Sequence, residues 1–274
     1  MTQRLTLDEA LARAGREIDR ADFDRADATL RAILAQIPDH PPALALLGRI
    51  SRIEGRNDMA AALHRLAGLG LAPSRILDIG AYEGWWAGLA RATFPHAEIL
   101  MIEAQNGKRA TLEAEAARLG NAQIRIALLG PESGQSATLH IPDTPFGSTG
   151  SSLYPERTEF ARLAEARTMA ALDDLVAGEA VFDLVKLDVQ GAEMDVLKGG
   201  PKTLAGAKAL IAEVSLLPYN QGAPLFAELV RHLDERDFQM IDFVDPRRGR
   251  GGVLYQADAV FLRRDSGLLP DRVW

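Results

Sequence analysis

Two charged residues, Lys186 and Asp188, stand at the end of the run Phe182-Asp183-Leu184-Val185-Lys186-Leu187-Asp188, whose apolar residues are those of a buried strand. Buried charge is costly unless it is paired or put to use, so the pair marks a site. A carboxylate in that position can accept the proton of a weak nucleophile such as a hydroxyl, or ligate a divalent cation that does the same work by lowering the hydroxyl pKa. Asp188 can equally bind a ligand ammonium or cap the turn. Lys186 can pair with Asp188 or with an acidic group of a substrate, or snorkel at the strand end. Glu193 falls in the first turn of the next helix, where the dipole favours a negative side chain whatever the function. His140, near the end of a short strand-like run, is the histidine of this half best placed to face a cleft and is a second candidate base. The five histidines of the chain include no i, i+4 pair for a metal site.

A second cluster lies earlier. Ile76-Leu77-Asp78-Ile79-Gly80-Ala81-Tyr82-Glu83-Gly84 is an apolar strand running into a glycine-bearing bend and then a helix, the place where open α/β sheets bind ligands. Gly80 permits a sharp turn and close approach of a ligand. Gly84 opens a helix start whose free N–H groups favour a carboxylate or polar ligand. A dinucleotide loop uses three glycines in the order G-x-G-x-x-G; two glycines, four apart, suit a smaller zwitterionic tail better than a diphosphate. Glu103, about 20 residues beyond the bend, ends the next strand, where a carboxylate can take hydrogen bonds from both ribose hydroxyls of an adenosine. Its alternative is a helix-capping acid. Ala104 and Gln105 follow on the adenine side, and Ala127 closes the third strand beside them.

Val185-Lys186-Leu187-Asp188-Val189-Gln190-Gly191-Ala192-Glu193 and on through Gly200, the Ile76–Gly84 block, Leu172-Asp173-Asp174-Leu175 and Glu213-Val214-Ser215 together resemble the FkbM-type methyltransferase family, over about Pro73 to Arg264. The resemblance implies S-adenosylmethionine as cofactor and methyl transfer to a hydroxyl oxygen of a sugar or natural product. It places Asp78, Gly80, Ala81, Tyr82, Gly84, Glu103, Ala104, Gln105 and Ala127 on the cofactor, and Lys186 and Glu213 on the acceptor side. Two residues depart from the family: Tyr82 stands where Asn is usual, and Gln190 where Glu is usual. In-line displacement at a sulfonium gains much of its rate from alignment, so Asp188, as base or cation ligand, is the main chemical group required. Ser151 and Ser152, in the small polar stretch Phe146–Leu153, are the acceptor contacts of a lid-like loop, or members of a surface loop. Trp85 and Trp86 open the first helix of this half, one of them as a cation-π partner or both in packing.

The elements that must position these groups are short β-branched runs alternating with amphipathic stretches after Pro73, the pattern of βαβ units on a parallel sheet. Strands are expected at Arg75–Ile79, Glu98–Ile102, Gln123–Ala127, Phe182–Leu187, Ala209–Val214, Gln239–Phe243 and Ala259–Leu262, with helices from about Trp85, Gly107, Ala192 and Pro224. The last two strands are separated only by the Gly- and Arg-rich loop Asp245–Gly252, so an antiparallel hairpin should close one edge. The fold class expected is α/β: a Rossmann-like class I methyltransferase sheet, mostly parallel with an antiparallel last strand, behind a small all-α tetratricopeptide-like domain. Domains of 1–70 and 71–274 follow. From Leu7 to Leu69 the spacing predicts about four helices and a repeat of about 34 residues, in which Ala26, Leu30 and Pro38 are echoed by Ala60, His64 and Ala72-Pro73, with Leu47, Gly48 and Gly55 at packing positions. Two copies are fewer than a free solenoid needs, so this segment should pack on its neighbour, form a homodimer, or bind a protein partner.

The chain has 274 residues, no cysteine and a formal net charge of -7. Disulfides, Cys-based zinc and thiolate catalysis are thereby excluded, and a polyanion such as nucleic acid is disfavoured as partner, Arg247-Arg248-Gly249-Arg250 being a short exception. No run resembles a signal peptide or membrane span, and a cytoplasmic protein acting on a small-molecule hydroxyl acceptor is expected. Two further readings stay open: a nicotinamide-dependent oxidoreductase on the same sheet, and a catalytically idle scaffold recruiting partners through its helices.

Overall fold

The structure, a computed structural model, describes residues 6–20, 22–34, 36–37, 40–53, 58–143, 148–157 and 161–270. Pro38, Gly55, Phe146 and Gly147 lie outside the described residues. The chain divides into two compact units: Met1–Ala72 with Trp86–His96, and Pro73–Trp85 with Ala97–Trp274.

The first unit contains α1 (Leu7–Asp19), α2 (Phe23–Leu34), α3 (Pro41–Ile53) and α4 (Met59–Gly68). Thr6 and Glu9 cap α1 reciprocally, and the Asp58 carboxylate starts α4 by accepting from the Ala61 N–H at 2.9 Å. Both devices satisfy donors that a helix start leaves open. Ala14, Ile18, Ala26, Leu30, Ile33, Ala43 and Ile50 form one buried cluster. The His64 ring fills the space a side chain at Gly48 would need, which is how a small residue lets two helices close. Among the described residues no helix is long and apolar enough to cross a membrane.

The remaining elements follow in order: β1 (Arg75–Ile79), α5 (Trp85–Thr93), β2 (Glu98–Glu103), α6 (Arg109–Leu119), β3 (Ala122–Ile126), β4 (Leu128–Gly130), β5 (Ser136–Pro142), β6 (Arg162–Ala171), α7 (Leu172–Leu175), β7 (Leu184–Leu187), α8 (Glu193–Gly199), α9 (Pro201–Ala205), β8 (Ala209–Ser215), α10 (Phe226–Asp234), β9 (Phe238–Arg248) and β10 (Leu254–Arg263). Seven strands form a sheet in the order β3-β2-β1-β7-β8-β10-β9. β10 runs antiparallel to both its neighbours and the other pairings of this sheet are parallel. The fold is therefore mixed α/β with a mostly parallel sheet, and the expected terminal hairpin is present. The hairpin differs from expectation in the length of its connection. Its second strand lies between β8 and β9, a position the sequence leaves open, and its pairing extends to Arg248, so the connection is shorter than the expected loop, a turn closed by Gly249 N–H on the Val253 carbonyl at 2.9 Å.

Central strands are buried along nearly their whole length: Leu184–Leu187 and Ala209–Ser215 are buried throughout, as the apolar runs required. β7 begins two residues later than expected because Asp183 serves the start of β1, its carboxylate accepting from Ser74 N–H at 2.8 Å and pairing with Lys208 at 2.9 Å. A second sheet, ordered β4-β6-β5, was not expected from the sequence. Its long member β6 reads Arg-Leu-Ala-Glu-Ala-Arg-Thr-Met-Ala-Ala, a helix-forming composition that is overridden by pairing with β5 over seven residues.

Candidate active site

Strand order reverses between β1 and β7, where the chain leaves toward β2 on one side and returns on the other; a crevice at the carboxyl ends of such strands is the expected ligand site. A cavity of about 340 Å³ lies there, walled by the bends after β1, β2 and β7, by Leu128, Leu129 and Leu139 of the smaller sheet, and by β8 and β10. Of the residues picked out from sequence, Gly80, Tyr82, Glu103, Ala104, Gln105, Ala127, Ser151, Ser152, Asp188 and Glu213 line it. Asp78, Ala81, Gly84, Lys186 and His140 do not. Side chains alternate along a strand, and because Leu139 lines the cavity, His140 next to it does not; its backbone instead pairs with Ser152 at 2.8 and 3.1 Å. Trp85 is exposed to solvent.

The bend after β1 is folded around the end of β2. Gly80 and Ala81 N–H donate to the Ile102 carbonyl at 2.8 and 3.1 Å, and Gly84 N–H to the Ala81 carbonyl at 2.7 Å. Tyr82 N–H donates to Glu103 Oε2 at 2.8 Å, while Gln105 N–H donates to Oε1 at 2.9 Å. The free amides expected at this turn are thus engaged at these positions. What the bend does instead is aim Glu103: two backbone donors fix a carboxylate that is 5% exposed, with lone pairs left for the cavity, and burial pushes its pKa up. Gly80 has φ +82°, and a side chain there would collide with the Asp188 carbonyl, so this glycine serves the contact between the two bends. Tyr82 also sits in the left-handed region, at φ +51°, which asparagine tolerates better than tyrosine. Lys108 Nζ lies 3.9 Å from the centre of its ring.

Beneath the other wall Lys186 is 3% exposed and pairs with Asp188 Oδ2 at 3.1 Å and Asp258 Oδ1 at 3.2 Å. Burial works against its charge, but Asp188, Asp258, Glu213 and Asp78 outweigh burial and hold the ammonium well above its ordinary range. Gln190, also left-handed at φ +56°, donates from Nε2 to Asp188 Oδ1 at 2.7 Å and to Glu213 Oε2 at 2.8 Å. Asp188 has both oxygens occupied, and although burial opposes its charge, Lys186 and these donors outweigh burial and lower its pKa. Glu213 is the opposite case: burial and then the Asp188 charge raise it well above the carboxylate range. Environments that push neighbouring carboxyls apart in this way are characteristic of acid–base sites. Asp78, 1% exposed with Oδ2 lacking a partner, is pushed up to about 7 by burial.

Several side chains hold these bends in place. Glu193 accepts from Val189 N–H at 3.0 Å and from Gly191 N–H at 3.0 and 3.2 Å, so it organises the turn after β7. Ser152 Oγ donates to the Gln190 carbonyl at 2.5 Å and accepts from Tyr154 N–H at 2.9 Å; Ser151 Oγ donates to the Ser148 carbonyl at 2.8 Å. Both serines line the cavity with their hydroxyls already committed. Sequence reading missed Tyr219, Arg247, Tyr255 and Gln256, which also line it. The register Ser215↔Gln256 brings the latter two in, and only the insertion of β10 beside β8 could have revealed it. Among the described residues no group of three or more metal-ligating side chains is placed to hold an ion.

A family model described as the methyltransferase FkbM domain matches residues 78–240, more than half the chain. No curated protein gives a significant match. Among solved structures, N-methyltransferase NodS from Bradyrhizobium japonicum is similar at 13% identity over 75% of this chain and 94% of its own, with a TM-score of 0.45. Precorrin-6y C5,15-methyltransferase from Geobacter metallireducens is similar at 10% identity over 74% and 86%, TM-score 0.43. TehB from Haemophilus influenzae is similar at 9% identity over 74% and 62%, TM-score 0.43.

Proposed function

Because the chain belongs to the FkbM methyltransferase family and is thereby an S-adenosylmethionine-dependent methyltransferase, we propose that it methylates a hydroxyl oxygen of a small sugar or secondary metabolite. The observation that carries this reading is the pairing of Asp188 and Glu213 across Gln190 at one wall of the cavity. A hydroxyl must lose its proton as it attacks carbon, and a positioned carboxylate accelerates that loss.

The residues present fit the cofactor. Glu103, buried, fixed by two backbone donors and facing the cavity, is suited to accept both ribose hydroxyls. Ala104, Gln105 and Ala127, which also line the cavity, would flank the base. The bend at Gly80 would border the methionine end, with Asp78, Ala81 and Gly84 shaping that bend from behind. Asp188, held ionised by Lys186 and Gln190, is suited to balance positive charge on that end rather than to take a proton. The cofactor supplies the activated methyl group; the protein aligns the acceptor with it, excludes water and receives the proton. Ser151 and Ser152 shape the acceptor side through the backbone they hold, and the aromatic rings of Tyr219 and Tyr255, 5.5 Å apart edge to face, offer a sugar an apolar wall.

The test is incubation of the full chain with S-adenosylmethionine and a panel of sugars and hydroxylated natural products, with mass spectrometry and NMR locating the new methyl. An O-methyl product supports the reading. Transfer to nitrogen or carbon, or binding of a nicotinamide cofactor in place of S-adenosylhomocysteine, refutes it.

A further inference from the structure

Glu213 is 4% exposed, lines the cavity, and is held asymmetrically. Its Oε2 accepts from the side-chain amides of Gln190 and Gln256, whereas Oε1 is buried with no partner. A carboxylate oxygen left bare in a protein interior is expensive, and this one belongs to a group anchored from behind by two neutral donors. We propose that Glu213 is the proton acceptor of the reaction, receiving the proton of the acceptor hydroxyl through Oε1. The step balances: the hydroxyl oxygen forms a bond to the methyl carbon, the carbon–sulfur bond breaks with its electron pair going to sulfur, and the hydroxyl proton moves to Glu213, to be lost to solvent after product leaves.

The other groups facing Glu213 do not fit this part. Asp188 on the bend after β7 is ionised and engaged with Lys186 and Gln190. Asp258 on β10 is paired with Lys186. Glu193 on α8 is turned to the amides of Val189 and Gly191. Tyr219, following β8, has its hydroxyl pushed further from ionisation by burial and by Glu213 itself. Burial, with the charges of Asp188, Glu193 and Asp258 added to it, raises the pKa of Glu213 well above the carboxylate range, and a cation placed among them favours its ionisation.

This inference rests on the proposed function, and its test separates the two. Binding of S-adenosylmethionine, which is cationic at sulfur, and of S-adenosylhomocysteine, which is not, is measured by calorimetry near neutral pH in buffers of different ionisation heat. Linkage then gives the protons released by each. Glu103 contacts features common to both ligands and cancels in the comparison. The expected result is up to about one more proton released with S-adenosylmethionine than with S-adenosylhomocysteine, and loss of that difference in Glu213→Gln with S-adenosylhomocysteine affinity kept. Gln256→Met, which removes one donor from Oε2, moves the release to higher pH and supplies a second check should the first variant not fold. Equal release for the two ligands, an unaltered difference in Glu213→Gln, or an unshifted release in Gln256→Met overturns the role of Glu213. Failure of both ligands to bind the unchanged chain overturns the methyltransferase site itself.

Discussion

Replacing Gln190 by the glutamate usual in the family would put a third carboxylate between two that already need a donor. The Gln190 amide spans Asp188 at 2.7 Å and Glu213 at 2.8 Å. The bond to ionised Asp188 contributes about 1.5 kcal/mol at the low end and the bond to Glu213, whose pKa is raised, about 1 kcal/mol, so losing both costs about 2.5 kcal/mol. Full ionisation adds repulsion of about 4 kcal/mol for charges 4 Å apart at an effective dielectric of 20. The protein escapes part of this by keeping the new carboxyl protonated. Its folded pKa then stands above the unfolded value of about 4.3, the folded state binds the extra proton, and stability falls as pH rises through the folded pKa. Relative to the unchanged chain, Gln190→Glu should therefore be penalised more at about pH 8 than at about pH 5. The difference should reach about 1 to 3 kcal/mol, since each tenfold gain in proton affinity on folding is worth about 1.4 kcal/mol. Denaturant unfolding of both proteins at the two pH values measures it. An equal penalty at both would show that the amide's position between the two carboxylates is not what stabilises this wall.

Glu103→Ala should weaken S-adenosylhomocysteine binding at least about tenfold, one charge-assisted contact being worth that much, with the unfolding transition retained; unchanged affinity in calorimetry removes the ribose assignment. Gly80→Ala forces a side chain at φ +82° into the Asp188 carbonyl and should cost about 3 kcal/mol or more, read as a lowered denaturation midpoint. Tyr82→Val should be less stable than Tyr82→Asn by about 1 kcal/mol or more, because a β-branched residue fits the left-handed region worst; equal midpoints would show that the strain at φ +51° is negligible. Asp78 and Glu193 are both pushed up to about 7 by burial, so folding retains protons that the unfolded chain releases near pH 4. Thermal stability should decline from about pH 5 toward pH 8, and Asp78→Asn should flatten that decline.

The cavity wall formed by Gly80 and Glu103 was legible in the sequence because it is made of chain-local signals: a strand end, a glycine bend, and an acid at the end of the next strand. Glu103, Gly80 and Asp188 all fall on such ends. The wall formed by β8 and β10 was less so. Tyr255 and Gln256 enter through a strand inserted beside β8, a long-range pairing that no local spacing encodes. The smaller sheet was hidden by the Ala, Arg and Glu of β6, whose intrinsic preference is helical and whose state is decided by its partner β5. His140 drew notice by residue type, yet strand alternation gives its place on the cavity to Leu139. Asp188 is legible as a buried charge needing a partner, but the partners themselves, Lys186 below and Gln190 beside it, come from the fold.

The position of β10 also constrains how the chain can assemble. Among the described residues β9 is made first yet pairs with no strand except β10, and β8 presents an open edge until β10 arrives. During synthesis the chain must therefore carry two unpaired strand edges, a known hazard for misassociation, until Leu254–Arg263 has emerged. Gln256, Tyr255 and Asp258 belong to that same late segment, so the pocket and the sheet reach completion in a single event.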